Sequence, residues 1–446
     1  MTTTMNRARR AIFTLLLPMA LVAPLALTAS GCDLTVEDTN ATTEDDAFGT
    51  RAGLLAAVVG LQSQYNQRYF DTWVISSGIT SRELAADNTF ANLLDLEAGG
   101  PGLDPANANV TNYFREMYQT ISTADAIIDG AASTEGLEDD LRASLTAVAQ
   151  FYKAAAIGAL ALGFTDVALE TNEENQGVYS SRDAALAEAV SLLQAAESGL
   201  AGGVSGALPV PAEFDLVNSV RAYLARFALY AGDFSTASSA AGRVDPSVTS
   251  TFAFSATEGN PLYEAISPAL GQPSFAVRDD LGLETVVSGD GRIDTFTETN
   301  EDTSVNGFPI ETATGFIASG LATSIPVYVP DEMVLIQAEA AVRDGQTAAA
   351  VAFINQVRTD ADDPFGLAAN LPPYTGPTDQ ASLLQEIFYN RSVELYLQGL
   401  RLPDQRRFGL GTPDPTNSFS RTRDFYPFPQ QERLANPDNT PADPSI

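Results

Sequence analysis

The chain has 446 residues, enough to bury one broad core or two intimate ones. It carries 57 acidic against 24 basic residues, a formal charge of −33, with no histidine and one cysteine. The missing histidines exclude Ser–His–Asp triads and His-ligated metals, and the acidity argues against nucleic acid, whose phosphates need a basic surface.

Residues 1–31 read as a targeting segment. Arg7, Arg9 and Arg10 give a basic start, and an apolar stretch follows from Ala11 to Leu27. Ala29, Ser30 and Gly31 then place small residues before Cys32, an arrangement resembling a lipobox. Cys32 is the expected lipidation site, with a plain signal peptide or a single membrane span as the alternatives. Bacterial lipoproteins carry two or three acyl chains on that cysteine, and several chains anchor stably where one does not. Cleavage would remove three arginines and deepen the charge from −33 to −36. Lys153 is the sole lysine. A solvated acidic shell, as in salt-adapted proteins, accounts for this balance.

Residues 32–46 are polar and acidic and read as a tether. A first helix is expected over roughly Asp45 to Tyr65, capped by Thr43 with Glu44 and Asp46. The stretch Tyr65 to Asn88 concentrates Tyr65, Tyr69, Phe70 and the only tryptophan, Trp73. Aromatic rings beside polar groups suit stacking on sugar faces or peptide side chains; a core cluster between helices is the other reading. Asn92 to Asn109 is loop by its Gly, Pro and Asn content. The next helix places Tyr113, Met117, Ile121, Ala124 and Ile128 on one stripe. A further helix over Leu137 to Leu162 is apolar enough to suggest a membrane span, but Gln150 and Lys153 favour a buried soluble helix. Its expected partner runs from Ser180 to Leu200.

A helical hairpin is expected over Asn218 to Val244, turning at Ala231–Phe234. From about 245 to 325 the helical periodicity fails, and loops, short strands and small helices are expected. Asp290, Asp294 and Glu298 offer oxygen ligands there, but their spacing fails the EF-hand pattern, so a solvated turn is preferred to a calcium loop. Pro330 and Asp331 start another helix, Gly345 punctuates it, and Thr347 is expected to cap a second helix carrying Val351, Ile354 and Val357. These hairpins suit tetratricopeptide-type units, which must stack to bury their apolar faces. A last helix should cover residues 383–400 and end at Gly399. Arg391, Glu394, Arg401, Asp404, Arg406 and Arg407 crowd opposite charges around it, as a solvated face or as buried Arg–carboxylate pairs.

The run NRSVELYLQGLRLPDQRR resembles the carboxy-terminal motif of the SusD/RagB family, whose usual form is ERRxELxxEGxRxxDLRR. Arg391, Glu394, Leu395, Gly399, Arg401, Asp404, Arg406 and Arg407 match, while Asn390 and Gln398 replace glutamates. AEAAVRDGQTAAAVAFINQVR resembles the preceding helix pair, and FYPFPQQERLANPD resembles the closing YPIPxxExxxNP segment. The helix after Asn109 is similar to the family's WxxxYxxIxxANxII helix, with Asp125 in place of Asn.

The resemblance implies a mainly α, SusD-like fold. Its tetratricopeptide-type hairpins would form a scaffold with a loop-rich, minor-β subregion at about 245–325, within one domain over 47–446. It further implies a surface-exposed outer-membrane lipoprotein, facing the cell exterior. Such a protein captures a nutrient, an oligosaccharide or a peptide, for a SusC-like TonB-dependent transporter. The family's exposed ligand face makes Tyr69, Trp73, Arg82, Asp87 and Asn88 the candidate ligand contacts. No cofactor, metal, nucleic-acid partner or catalytic residue is expected. Two other classes stay open: a helical-repeat scaffold that binds a protein, and a glycoside hydrolase built on a pair of carboxylates.

Overall fold

The computed structural model describes residues 47–298, 303–316 and 319–446. Cys32, the 32–46 tether and the expected Thr43 cap lie outside them. Helix α1 (Arg51–Arg68) starts later than expected, because the cap is Thr50, whose hydroxyl accepts the Gly53 N–H at 3.1 Å. The helix passes into a wider π-turn, Tyr69–Val74, and then into α2 (Ile75–Thr80). Strand β1 (Leu84–Ala86) and α3 (Ala91–Ala98) follow.

Helix α4 (Ala108–Ser133) buries Tyr113, Met117, Thr120, Ala124, Ile127 and Ala131, so its stripe passes through Ile127 rather than Ile128, and Ile121 falls on its edge. Helix α5 (Asp139–Gly163) is buried on every side from Ala154 onward, and α1, α4 and α6 (Arg182–Gly199) pack around it. Its most apolar 18-residue window is 83% buried in the protein, which makes it a core helix rather than a span. Gly158 lets α7 (Leu216–Tyr230) approach: a Cβ there would overlap the Phe227 ring. Between α5 and α6 the chain makes a hairpin of β2 (Asp166–Thr171) and β3 (Gly177–Ser181), with an irregular register between Ala168 and Glu170.

Helix α7 turns back through Ala231–Asp233 into α8 (Phe234–Ala241), capped by Asp233. The same arrangement recurs in α11 (Pro330–Arg343) and α12 (Thr347–Arg358). Thr347 is the first helical residue of α12, and the cap position belongs to Gln346 without a side-chain bond. Helix α11 packs on α8, and α13 (Gln380–Glu394) packs on both α11 and α12. The amphipathic faces therefore cover one another in sequence, as stacked hairpins must.

The intervening region supplies β4 (Thr251–Phe252), α9 (Pro261–Ile266), β5 (Phe275–Arg278), α10 (Ile293–Phe296), β6 (Thr297–Glu298), β7 (Ser304–Val305), β8 (Phe308–Ala313) and β9 (Ile325–Pro326). An antiparallel sheet runs β1–β5–β8–β6, with β7 also paired to β8. Leu84 faces Val277, and Val277 faces Glu311. Strand β1 thus ties the first helices to the loop-rich region. Helix α13 stops at Glu394, short of the expected 400, because Leu397 (φ +53°) and Gly399 (φ +75°) turn the chain into α14 (Arg401–Arg407). Helix α15 (Gln430–Ala435) closes the fold.

Candidate functional site

The candidate ligand contacts divide by burial. Trp73 is 0% exposed, and its indole N–H donates to the Gly399 carbonyl at 3.1 Å. The Tyr69 hydroxyl donates to the Gln398 carbonyl at 3.0 Å, and that ring too is buried. Arg82, 3% exposed, donates to the carbonyls of Glu97 and Pro415 and lies over the Phe308 ring. These three are therefore corrected from ligand contacts to joints of the core: the π-turn is pressed against the 396–400 turn and hides its rings. Asp87 and Asn88 remain partly exposed, and Asp87 accepts from Gln272 at 3.0 Å.

The arginine–acid motif forms the other side of this joint. Gly399 has no alternative there: a Cβ would stand 2.5 Å from the Trp73 indole nitrogen, on a positive φ besides. Arg391 donates to Asp404 at 2.7 Å with both side chains buried. Arg407 reaches Asp404 at 2.8 Å and also Glu339 of α11. Arg401 approaches Glu83 at 3.8 Å and donates to the Ser392 and Leu281 carbonyls. Arg406 donates to the Leu162 and Asp424 carbonyls. Burial pushes the Asp404 carboxyl up, but Arg391 and Arg407 outweigh it and hold its pKa below the ordinary carboxylate value.

Glu394 is paired with Arg292 at 3.3 Å, and Arg292 is held mainly by Asp290, which accepts from it at 2.6 and 2.9 Å. Asp290 is thus committed to an ion pair, while Asp294 and Glu298 are exposed; among the described residues no acidic cluster could hold a metal. Asn390 replaces a charge with an amide that accepts from Arg292 at 3.0 Å and donates to Glu386. Burial raises the Glu394 carboxyl well above its ordinary pKa against the pull of Arg292.

The concave site lies elsewhere, in a groove of about 740 Å³ between α4, the β2–β3 hairpin and α15. Its aromatic lining is Phe114, Tyr118 and Tyr179. Phe114 and Tyr118 sit one helical turn apart, with ring centroids at 4.7 Å. Two hydrogen bonds hold the hairpin in place. The Tyr118 hydroxyl accepts the Ala168 N–H at 2.7 Å, and the Asn436 side-chain amide donates to the Gly177 carbonyl at 2.8 Å. Tyr179 is braced from behind by Phe428, edge-on at 5.4 Å. Burial raises the pKa of both phenols, so each stays protonated and neutral. Arg115, Gln119, Asp125, Glu170 and Glu432 give the groove polar edges. Rigid rings with polar groups around them can stack and hydrogen-bond a ligand.

None of these aromatic residues was among the sequence candidates. Tyr113 marks the buried stripe of α4, and a helix 26 residues long necessarily presents Phe114 and Tyr118 beside it. The closing FYPFPQQERLANPD run did contain Glu432 and Asn436, which meet at 3.1 Å on the groove's far side.

Residues 323–441 match the sequence model of the SusD family. No curated protein matches the chain. Its fold is shared with a SusD-like carbohydrate-binding protein from Bacteroides fragilis NCTC 9343, at 17% identity and a TM-score of 0.67, covering 88% of this chain and 100% of that one. A second SusD superfamily protein from the same organism matches at 12% identity and a TM-score of 0.69, covering 89% and 99%. One from Bacteroides vulgatus ATCC 8482 matches at 16% identity and a TM-score of 0.64, covering 87% and 98%. The closing segment thus carries the sequence pattern of the SusD family, and along most of its length the chain shares the mainly helical fold of SusD-like structures.

Proposed function

We propose that this nutrient-binding protein takes an oligosaccharide in the groove between α4, β2–β3 and α15 and passes it on unmodified. The observation that carries the reading is the groove itself, about 740 Å³ with Phe114, Tyr118 and Tyr179 in its lining. That volume suits a ligand of several rings, and stacking with a few hydrogen bonds suffices to hold it. The likeness to SusD-like carbohydrate-binding proteins of known structure supports the ligand class. Absence of histidine supports binding without turnover. The chain is anchored through Cys32 at the outer membrane, facing the exterior, and hands its ligand to a SusC-like TonB-dependent transporter. The family resemblance and the small-residue junction before Cys32 support that part of the reading.

Two measurements test it. Calorimetric titration against a panel of oligosaccharides should find ligands that wild type binds and that Ser122→Trp, which fills the groove from α4, does not. Binding that survives Ser122→Trp moves the site elsewhere, and hydrolysis of the bound glycan would replace the binding reading with a hydrolase. Detergent extraction of outer membrane should bring down a large barrel protein with wild type and lose the protein to the soluble fraction for Cys32→Ser.

A further inference from the structure

The groove's charges are distributed unevenly. On the α4 wall each charge already has its partner: Arg115 donates to Glu116 at 2.7 Å, and Asp125 accepts from Lys153 at 2.6 Å. Across from that wall stand Glu170 of β2 and Glu432 of α15. Among the described residues neither has an arginine or lysine within ion-pair distance. Glu432 accepts from neutral groups, the Asn436 amide at 3.1 Å and the Tyr179 hydroxyl beside it. Its charge acts on the phenols of both Tyr118 and Tyr179, which places it beside the two rings. The arrangement therefore couples aromatic rings to carboxylates without a countercharge, inside a cavity. Aromatic faces attract cations, and a carboxylate beside them adds charge-assisted hydrogen bonding.

We infer that the ligand of this groove carries a protonated amine, seated between Tyr118, Tyr179 and Glu432, with Glu170 balancing a second amine further along. This rests on the groove being the binding site. An oligosaccharide of amino sugars fits both halves of the surface, its rings lying on the aromatic residues and its ammonium groups meeting the carboxylates. A neutral glycan leaves both carboxylates without a counterion, and an anionic glycan is repelled.

The test uses the full chain in detergent, titrated on the acidic side of neutrality with glucosamine oligosaccharides and with the same oligosaccharides N-acetylated. Free-amine oligomers should bind about ten-fold or more tightly than the acetylated forms, with affinity falling as salt is added. Glu432→Gln should cut free-amine binding about ten-fold and leave the acetylated ligand unchanged. Ser122→Trp should abolish both. Equal binding of the two oligomers, abolished by Ser122→Trp, overturns the amine inference and keeps the groove as the site. Free-amine binding that survives Ser122→Trp shows only attraction to the acidic surface and overturns both. Failure of both oligomers alongside groove-dependent binding of a lysine tripeptide keeps the amine and transfers it to a peptide. If neither the oligomers nor the tripeptide binds, the amine inference is wrong.

Discussion

Asp331 occupies the second position of α11, where a helix N-terminus would ordinarily favour its ionised form. Burial, and then Asp360 and Asp363, override that preference and push its pKa up to about 7. A folded-state pKa above the unfolded value means that the native state binds the extra proton. Its stabilisation is full below about 4 and is lost as pH rises through 7. Asp404 has the opposite sign, lowered by Arg391 and Arg407, and its contribution is lost only as pH falls below the ordinary Asp value. Unfolding should therefore show stability declining between pH about 4 and 7, by on the order of 4 kcal/mol if Asp331 dominates. Asp331→Asn should flatten that slope. A slope unchanged in the variant assigns the titration to another group. Trp73 makes a second residue-scale case. Its indole is enclosed by Tyr113, Tyr426 and Gly399, so Trp73→Ala should cost about 3–5 kcal/mol of stability. Chemical denaturation measures this; a variant as stable as wild type would show that the turn relaxes around the missing ring.

At the scale of elements, the β2–β3 hairpin depends on its two neighbours for position. Only two strands pair there, which is marginal for an isolated sheet. Tyr118→Phe removes the acceptor for the Ala168 N–H and should cost about 1 kcal/mol. Amide exchange should then speed up in residues 166–181 and stay unchanged in α5. Exchange that quickens equally in both would mean global destabilisation. The helical elements were legible in the sequence because period and capping are local: α7–α8 and α11–α12 fall close to their expected limits. The end of α13 was not, since Leu397 takes a left-handed conformation that only its tertiary surroundings enforce. The ligand face misread for the same reason. An aromatic cluster looks identical in sequence whether its rings face solvent or a partner turn more than 300 residues away. The groove needed α4, β2–β3 and α15 brought together, and no single stretch contains all three.

For the whole molecule, a net charge of −33 is carried with few lysines and arginines to spare for the surface, because many arginines are buried in ion pairs or on carbonyls. Exposed carboxylates then repel one another across the shell. Thermal unfolding should move upward as salt is added, flattening near about 1 M, where the screening length is ~3 Å. A midpoint indifferent to salt would show that the acidic shell is spaced widely enough to be neutral toward folding.

The bond from Trp73 to Gly399 spans 326 positions of sequence. The indole N–H reaches the Gly399 carbonyl at 3.1 Å, and the missing Cβ of that glycine is what lets the ring approach. A chain made amino terminus first presents its aromatic turn long before the complementary turn arrives. Until then the early helices hold exposed rings and an unpaired N–H, and loop closure over such a distance is slow. The late-arriving segment thus sets when the early one can become native, and the early rings stay open to wrong contacts until the Gly399 turn has been made.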